Sequence, residues 1–198
     1  MRYLPLTLLL LLVGCGTPTR VYDLSATEPP AAAPARRGPV IYVDRPTLAV
    51  YADRTQMVTR TGTNRVSIHE FEIWSDPPAD LITRALVDDL AGRFGRDRVM
   101  PTPAVRIPAP TWRVSLDVTR FDVEEGEPVR GAPTSGTAVL DARWTLVREP
   151  GARGDLSRRT RIDLPVADVT DATARVTALR AAVARLAEQI ADAVAAGQ

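Results

Sequence analysis

Between Trp112 and Val118 the apolar residues alternate with Arg113, Ser115 and Asp117, and Ala138, Leu140, Ala142, Trp144 and Leu146 repeat the pattern within Thr137 to Arg148. Period-two alternation of this length puts one face of each run against a core and leaves the other polar. The two runs, joined by the polar stretch Glu124 to Gly136, predict a long antiparallel pair. Parity breaks at Arg120, after which Phe121 and Val123 take over the apolar positions, so a bulge or twist is expected near Thr119. After a turn over Pro150 to Asp155, Leu156 to Val166 reads as a third, more polar strand. Its Arg158, Arg159 and Arg161 suit an edge.

A sheet with one apolar face needs a cover. Val176, Leu179, Val183, Leu186, Ile190 and Val194 recur at spacings of three and four in an alanine-rich background, which predicts a helix of about 25 residues, some 37 Å at ~1.5 Å per residue. Thr170 or Asp171 can cap it. So narrow a seam would also suit a coiled coil, but its alanine flanks favour a helix lying close on the sheet of its own chain.

A second helix is expected from near Ala79, with Ile82, Leu86, Leu90 and Phe94 on one face, Asp76 or Ser75 as cap and Gly95 as stop. Ahead of it, Val21 to Leu24 and Val40 to Val43 read as strands. Gln56 to Arg60 and Arg65 to Ile68 flank Thr61 to Asn64 as a hairpin, followed by Phe71 and Trp74. Val99 starts a brief strand, after which Pro101, Pro103, Pro108 and Pro110 make a stiff connection. Together these pieces make an α+β fold, a two-layer sandwich of a mainly antiparallel sheet with two amphipathic helices packed on one face.

The amino terminus sets the compartment. Arg2 and an apolar run from Leu4 to Val13 form a secretory signal peptide, too short at about 15 Å of helix to span a ~30 Å hydrocarbon core. It ends in Leu12, Val13, Gly14 and Cys15, which resembles the bacterial lipobox. Cys15 is the chain's single cysteine, and that resemblance implies cleavage before it and acylation of its sulfur and new amine. Three acyl chains hold a protein far more firmly than one. Gly16, where aspartate would favour inner-membrane retention, points to the periplasmic face of the outer membrane. The chain then divides into a signal peptide, 1–14, a lipidated terminus with a short strand and a Pro/Ala-rich loop, 15–39, and one globular domain, 40–198.

The formal net charge of +1 gives no field to steer the chain to nucleic acid. All its basic residues are arginine, so no amine is present for Schiff-base chemistry. No phosphate-binding glycine loop, dinucleotide motif or zinc-ligand spacing occurs, so no cofactor and no metal are expected. His69, the single histidine, stands beside Glu70 with no serine in a nucleophile-elbow context, and a surface or packing role is expected rather than a catalytic one. Asp88 with Asp89, and Glu124 with Glu125, read as solvated pairs.

Leu48-Ala-Val-Tyr51-Ala-Asp53-Arg54-Thr-Gln56-Met57-Val58-Thr-Arg60, with Asn64, Phe71 and Trp74, resembles the signature of the PqiC-type auxiliary lipoproteins of ABC and MCE transport systems. Ala52 and Thr55 depart from the family's leucine and proline, and Asp76-Pro77-Pro78 departs after the tryptophan. The resemblance implies a non-catalytic lipoprotein of an intermembrane lipid-transport system, docking an MCE-domain protein at the outer membrane. It makes Tyr51, Asp53, Arg54, Gln56, Arg60 and Trp74 candidate partner-binding residues and Cys15 the lipidation site. On the residues alone, Asp53 and Arg54 equally read as setting a turn, Gln56 as satisfying loop backbone groups and Trp74 as core. A homo-oligomer is compatible with the reading. The competing expectations are a regulatory outer-membrane lipoprotein that activates a peptidoglycan synthase and, more weakly, a periplasmic hydrolase using His69.

Overall fold

The computed structural model describes residues 17–25, 40–103, 111–128, 130–131, 134–149 and 155–197. Cys15, the Pro/Ala-rich loop, Pro108 and Pro110 of the proline-rich connection and most of the Pro150 to Asp155 turn lie outside the described residues.

Strand β7, Thr111–Glu125, is the spine of the sheet. Strand β8, Gly136–Glu149, pairs antiparallel along all of one side of it. The other side is shared in succession by three shorter strands. These are β2, Val40–Val43, at Thr111 to Val114; β3, Thr47–Leu48, at Asp117 and Val118; and β4, Gln56–Thr61, at Val123 to Glu125. Strand β6, Val99–Pro101, extends the sheet beyond β2, and β9, Leu156–Val166, forms the edge beyond β8. Beyond β4 lie β5, Arg65–Trp74, and β1, Arg20–Tyr22.

The fold is therefore α+β, as expected, with the longest pairings antiparallel. Five shorter pairings, β1–β5, β2–β6 and those of β2, β3 and β4 with β7, are parallel, which makes the sheet mixed. Alternation tells which residues face a core and says nothing of the direction of the neighbouring strand. The expected bulge is present, as a register shift between Val118 and Arg120.

Both helices cover one face. In α2, Ala172–Ala196, the side chains of Leu179, Val183, Leu186, Ile190 and Val194 are buried, and Ala182, Ala187 and Ala191 let the helix lie close across β7, β8 and β9. It is not a coiled-coil seam. Asp171 caps it, its Oδ1 accepting from the Thr173 N–H at 2.8 Å.

Helix α1, Pro78–Phe94, packs on α2 and over β6 and β2, with Ile82, Leu86 and Leu90 at 0% exposure. Burying one such side chain is worth roughly 2–3 kcal/mol. The expected cap at Ser75 or Asp76 is not made. Pro77 holds the cap position without a side-chain bond and Pro78 the first helical position, where a missing N–H costs nothing. Displaced outward, Ser75 donates to Asp23 at 2.6 Å and Asp76 accepts from Arg84 at 2.7 Å. Gly95 ends the helix at φ 104°, where a Cβ would be strained.

Candidate functional site

The bulge in β7 decides which way Asp122 points. Trp112 to Val118 turn their even-numbered residues to the helices, and one extra residue hands that role to Phe121 and Val123. Arg120, Asp122 and Glu124 thereby project from the helix-free face. There the turn between β3 and β4 folds over them, leaving Asp122 1% exposed.

A carboxylate buried this far must be compensated. The Tyr51 hydroxyl donates to its Oδ2 at 2.5 Å, and Arg120 Nη2 donates to its Oδ1 at 2.6 Å. Arg60 Nε stands 3.7 Å from Oδ2, and the Arg60 guanidinium lies 5.0 Å from the centre of the Tyr51 ring. Arg120 also reaches Glu124 at 3.2 Å. Burial works against the Arg120 charge, but the hydrogen bonds and charges of Asp122 and Glu124 outweigh it and hold its pKa above the ordinary arginine value. Burial raises the Tyr51 pKa, helped by the Asp122 carboxylate and opposed by Arg60, so the phenol stays protonated and donates.

Of the residues named from the sequence, Tyr51 and Arg60 are thus brought together, on a carboxylate the sequence did not single out. The turn they fasten presents Val50, 88% exposed, together with exposed Asp53 and Thr55. Arg54 and Gln56 are half-buried, and Arg54 Nε has no hydrogen-bond partner among the described residues. Trp74 is buried, its ring 6.1 Å from that of Phe121 in the main core.

A second polar cluster lies on the helix-covered side, beside the start of α2. Glu125 accepts from Thr59 and Thr61, each at 2.7 Å, and His69 Nε2 is 3.0 Å from the Thr59 hydroxyl. Glu72 pairs with buried Arg175, which also donates to the Val169 carbonyl at 2.6 Å. Thr61, His69, Glu72, Glu125 and Arg175 border a cleft of about 400 Å³.

Burial pushes the His69 pKa down, aided by the charge of Arg175. Glu72 and Glu125 pull the other way without prevailing. Burial would raise Glu125, yet the two threonine hydroxyls and the charges of His69 and Arg175 hold it below the ordinary carboxylate value. The hydroxyl beside His69 belongs to a threonine at 0% exposure, which no substrate can reach. Glu125 and Asp89 are accordingly not solvated pairs' members, since Asp89 is clamped by Arg180. Among the described residues, no group of three His, Cys, Asp or Glu side chains could hold a metal ion.

The model of the ABC-type transport auxiliary lipoprotein component family matches residues 22–191. The chain belongs to that family. Two solved structures share the fold of this transport auxiliary lipoprotein. One is an uncharacterized protein, at TM-score 0.69 and 15% identity, covering 90% of this chain and 99% of its own. The other is a protein from Xanthomonas campestris, at TM-score 0.67 and 15% identity, covering 87% and 93%. No curated protein matches the sequence. Membership makes the chain a lipoprotein component of a transport system, attached at the cell envelope. Among the described residues no helix is long and apolar enough to cross a membrane.

Proposed function

We propose that this auxiliary lipoprotein is anchored through acylated Cys15 to the periplasmic face of the outer membrane and docks an MCE-domain protein of an ABC-type lipid-transport system, without catalysis. The observation that supports this most is the fastened turn. Tyr51 and Arg60 serve as latches on Asp122. What they hold out is a short exposed surface of Val50, Asp53 and Thr55, fastened at both ends, as suits a docking contact. In this reading Arg54 and Gln56 border the contact, and Trp74 supports it from the core.

The hydroxyl that His69 meets is that of buried Thr59, which supports a binding role over hydrolysis. The test is affinity purification of the lipidated protein from detergent-solubilised membranes. Recovery of an MCE-domain protein supports the reading, while recovery of a cell-wall synthase in its place favours the regulatory alternative. A Cys15→Ala variant should fold and lose the membrane. Its persistence in the membrane pellet would count against lipidation.

A further inference from the structure

The outermost strands carry an apolar strip that no other described residue covers. Tyr22 and Trp74 are paired and both pack on the core, so their neighbours Val21 and Ile73, also paired, project from the helix-free face. Met57 is core and pairs with His69, so Val58 and Ile68 project from the helix-free face as well. Between those pairings, Glu70 to Glu72 have no partners on β4, and Phe71 stands in the middle of this irregularity. Val21 is 61% exposed, Ile68 49% and Phe71 48%. Large apolar side chains clustered in this way mark a surface that meets something apolar.

The chain's own direction says what that is. Because β1 runs parallel to β5, with Arg20 opposite Glu72, the residues before Arg20 head back toward Phe71 and Ile68. Cys15 stands two residues before Thr17, within about 7 Å of it even if fully extended. A leash so short confines the strip to the neighbourhood of the acyl chains, where the local concentration of bilayer far exceeds that of any free partner. Exposed Glu70 is the charge beside Phe71, while Arg20 and Arg65, opposite Glu72 and Thr61, share those residues' helix-covered face.

We propose that Val21, Ile68, Phe71 and Ile73 rest on the leaflet that holds the Cys15 acyl chains, fixing the orientation of the domain as well as its attachment. This rests on the lipidation reading above.

The test uses the full-length lipidated protein carrying Phe71→Trp, reconstituted in vesicles of phosphatidylethanolamine and phosphatidylglycerol with acyl chains brominated near the head group. Trp74, Trp112 and Trp144 are buried, so the added indole reports the strip. Its emission should shift to the blue and fall roughly twofold with brominated lipid, as for an aromatic at the membrane interface. Glu188→Trp, exposed on α2 at the opposite face, should not respond. Unquenched emission at position 71 from a chain whose mass includes the acyl groups overturns the docking face and leaves the anchor standing. A blue shift that depends on protein concentration without bromine quenching assigns the strip to a second copy and overturns it too. A mass without acyl groups overturns both.

Discussion

The Tyr51 hydroxyl donates a 2.5 Å hydrogen bond to Asp122, joining a turn residue to a carboxylate that is 1% exposed on the central strand. Hydrogen bonds to buried charged groups are among the stronger ones, typically about 1.5–3 kcal/mol. Tyr51→Phe removes the donor and keeps the ring under Arg60. It should cost about 1–2 kcal/mol, because Arg120 still serves Asp122, and lower the melting midpoint by roughly 3–6 °C. An unchanged midpoint would show that the turn is not fastened there.

The two helices are clamped by a fork. Arg180 Nη1 and Nη2 donate to the two oxygens of Asp89 at 2.8 and 2.5 Å, with both side chains about five-sixths buried. Arg180 Nε is already buried without a hydrogen-bond partner among the described residues. Asp89→Ala strands the guanidinium between α1 and α2 and should destabilise the protein by about 2 kcal/mol, with Asp89→Asn milder because one acceptor remains. Equal urea midpoints for Asp89→Ala and the parent would contradict this.

Most of the architecture was legible from periodicity, and the residues show where legibility stopped. Leu186 and Ile190 announced a core face because burial repeats with the helical turn. The parity break at Arg120 announced the bulge. Asp122 was missed because its partners, Tyr51 and Arg60, come from another strand and turn, and no spacing in one segment encodes a contact across some seventy residues of chain. Asp89 is likewise not legible as a clamp, because its partner Arg180 lies on the other helix. The expected cap at Ser75 or Asp76 fails because Pro77 and Pro78 occupy the cap and first helical positions.

Acid should weaken the fold in two stages. His69 has a folded pKa below its unfolded value of about 6.5, so its neutral burial contributes fully above that pH, and the contribution is lost as pH falls toward the folded pKa. Glu125 and Asp141 are likewise lowered, Glu125 by threonine hydrogen bonds that outweigh its burial and Asp141 chiefly by Arg159. Their contributions persist to about pH 4 and then fade as the carboxylates protonate. Urea midpoints measured across the pH range should show both declines, and His69→Gln should abolish the first only. If the decline below neutrality survives His69→Gln, the histidine is not its origin.

The exposed turn gives the sharpest separation of stability from docking. Val50 is 88% exposed and Asp53 is exposed with no side-chain hydrogen bond among the described residues. Substitutions at such positions usually change stability by less than about 0.5 kcal/mol. Val50→Glu with Asp53→Arg should therefore leave the melting midpoint in place. If this turn docks an MCE-domain partner as proposed, introducing the wrong charges at its centre should weaken that binding by at least roughly tenfold, about 1.4 kcal/mol. Tyr51→Phe should also weaken binding, but by less and together with stability, because it loosens the turn without changing what it presents. Undiminished binding by the double variant would move the docking surface elsewhere on the domain, while its loss together with the melting midpoint would mark the turn as structural.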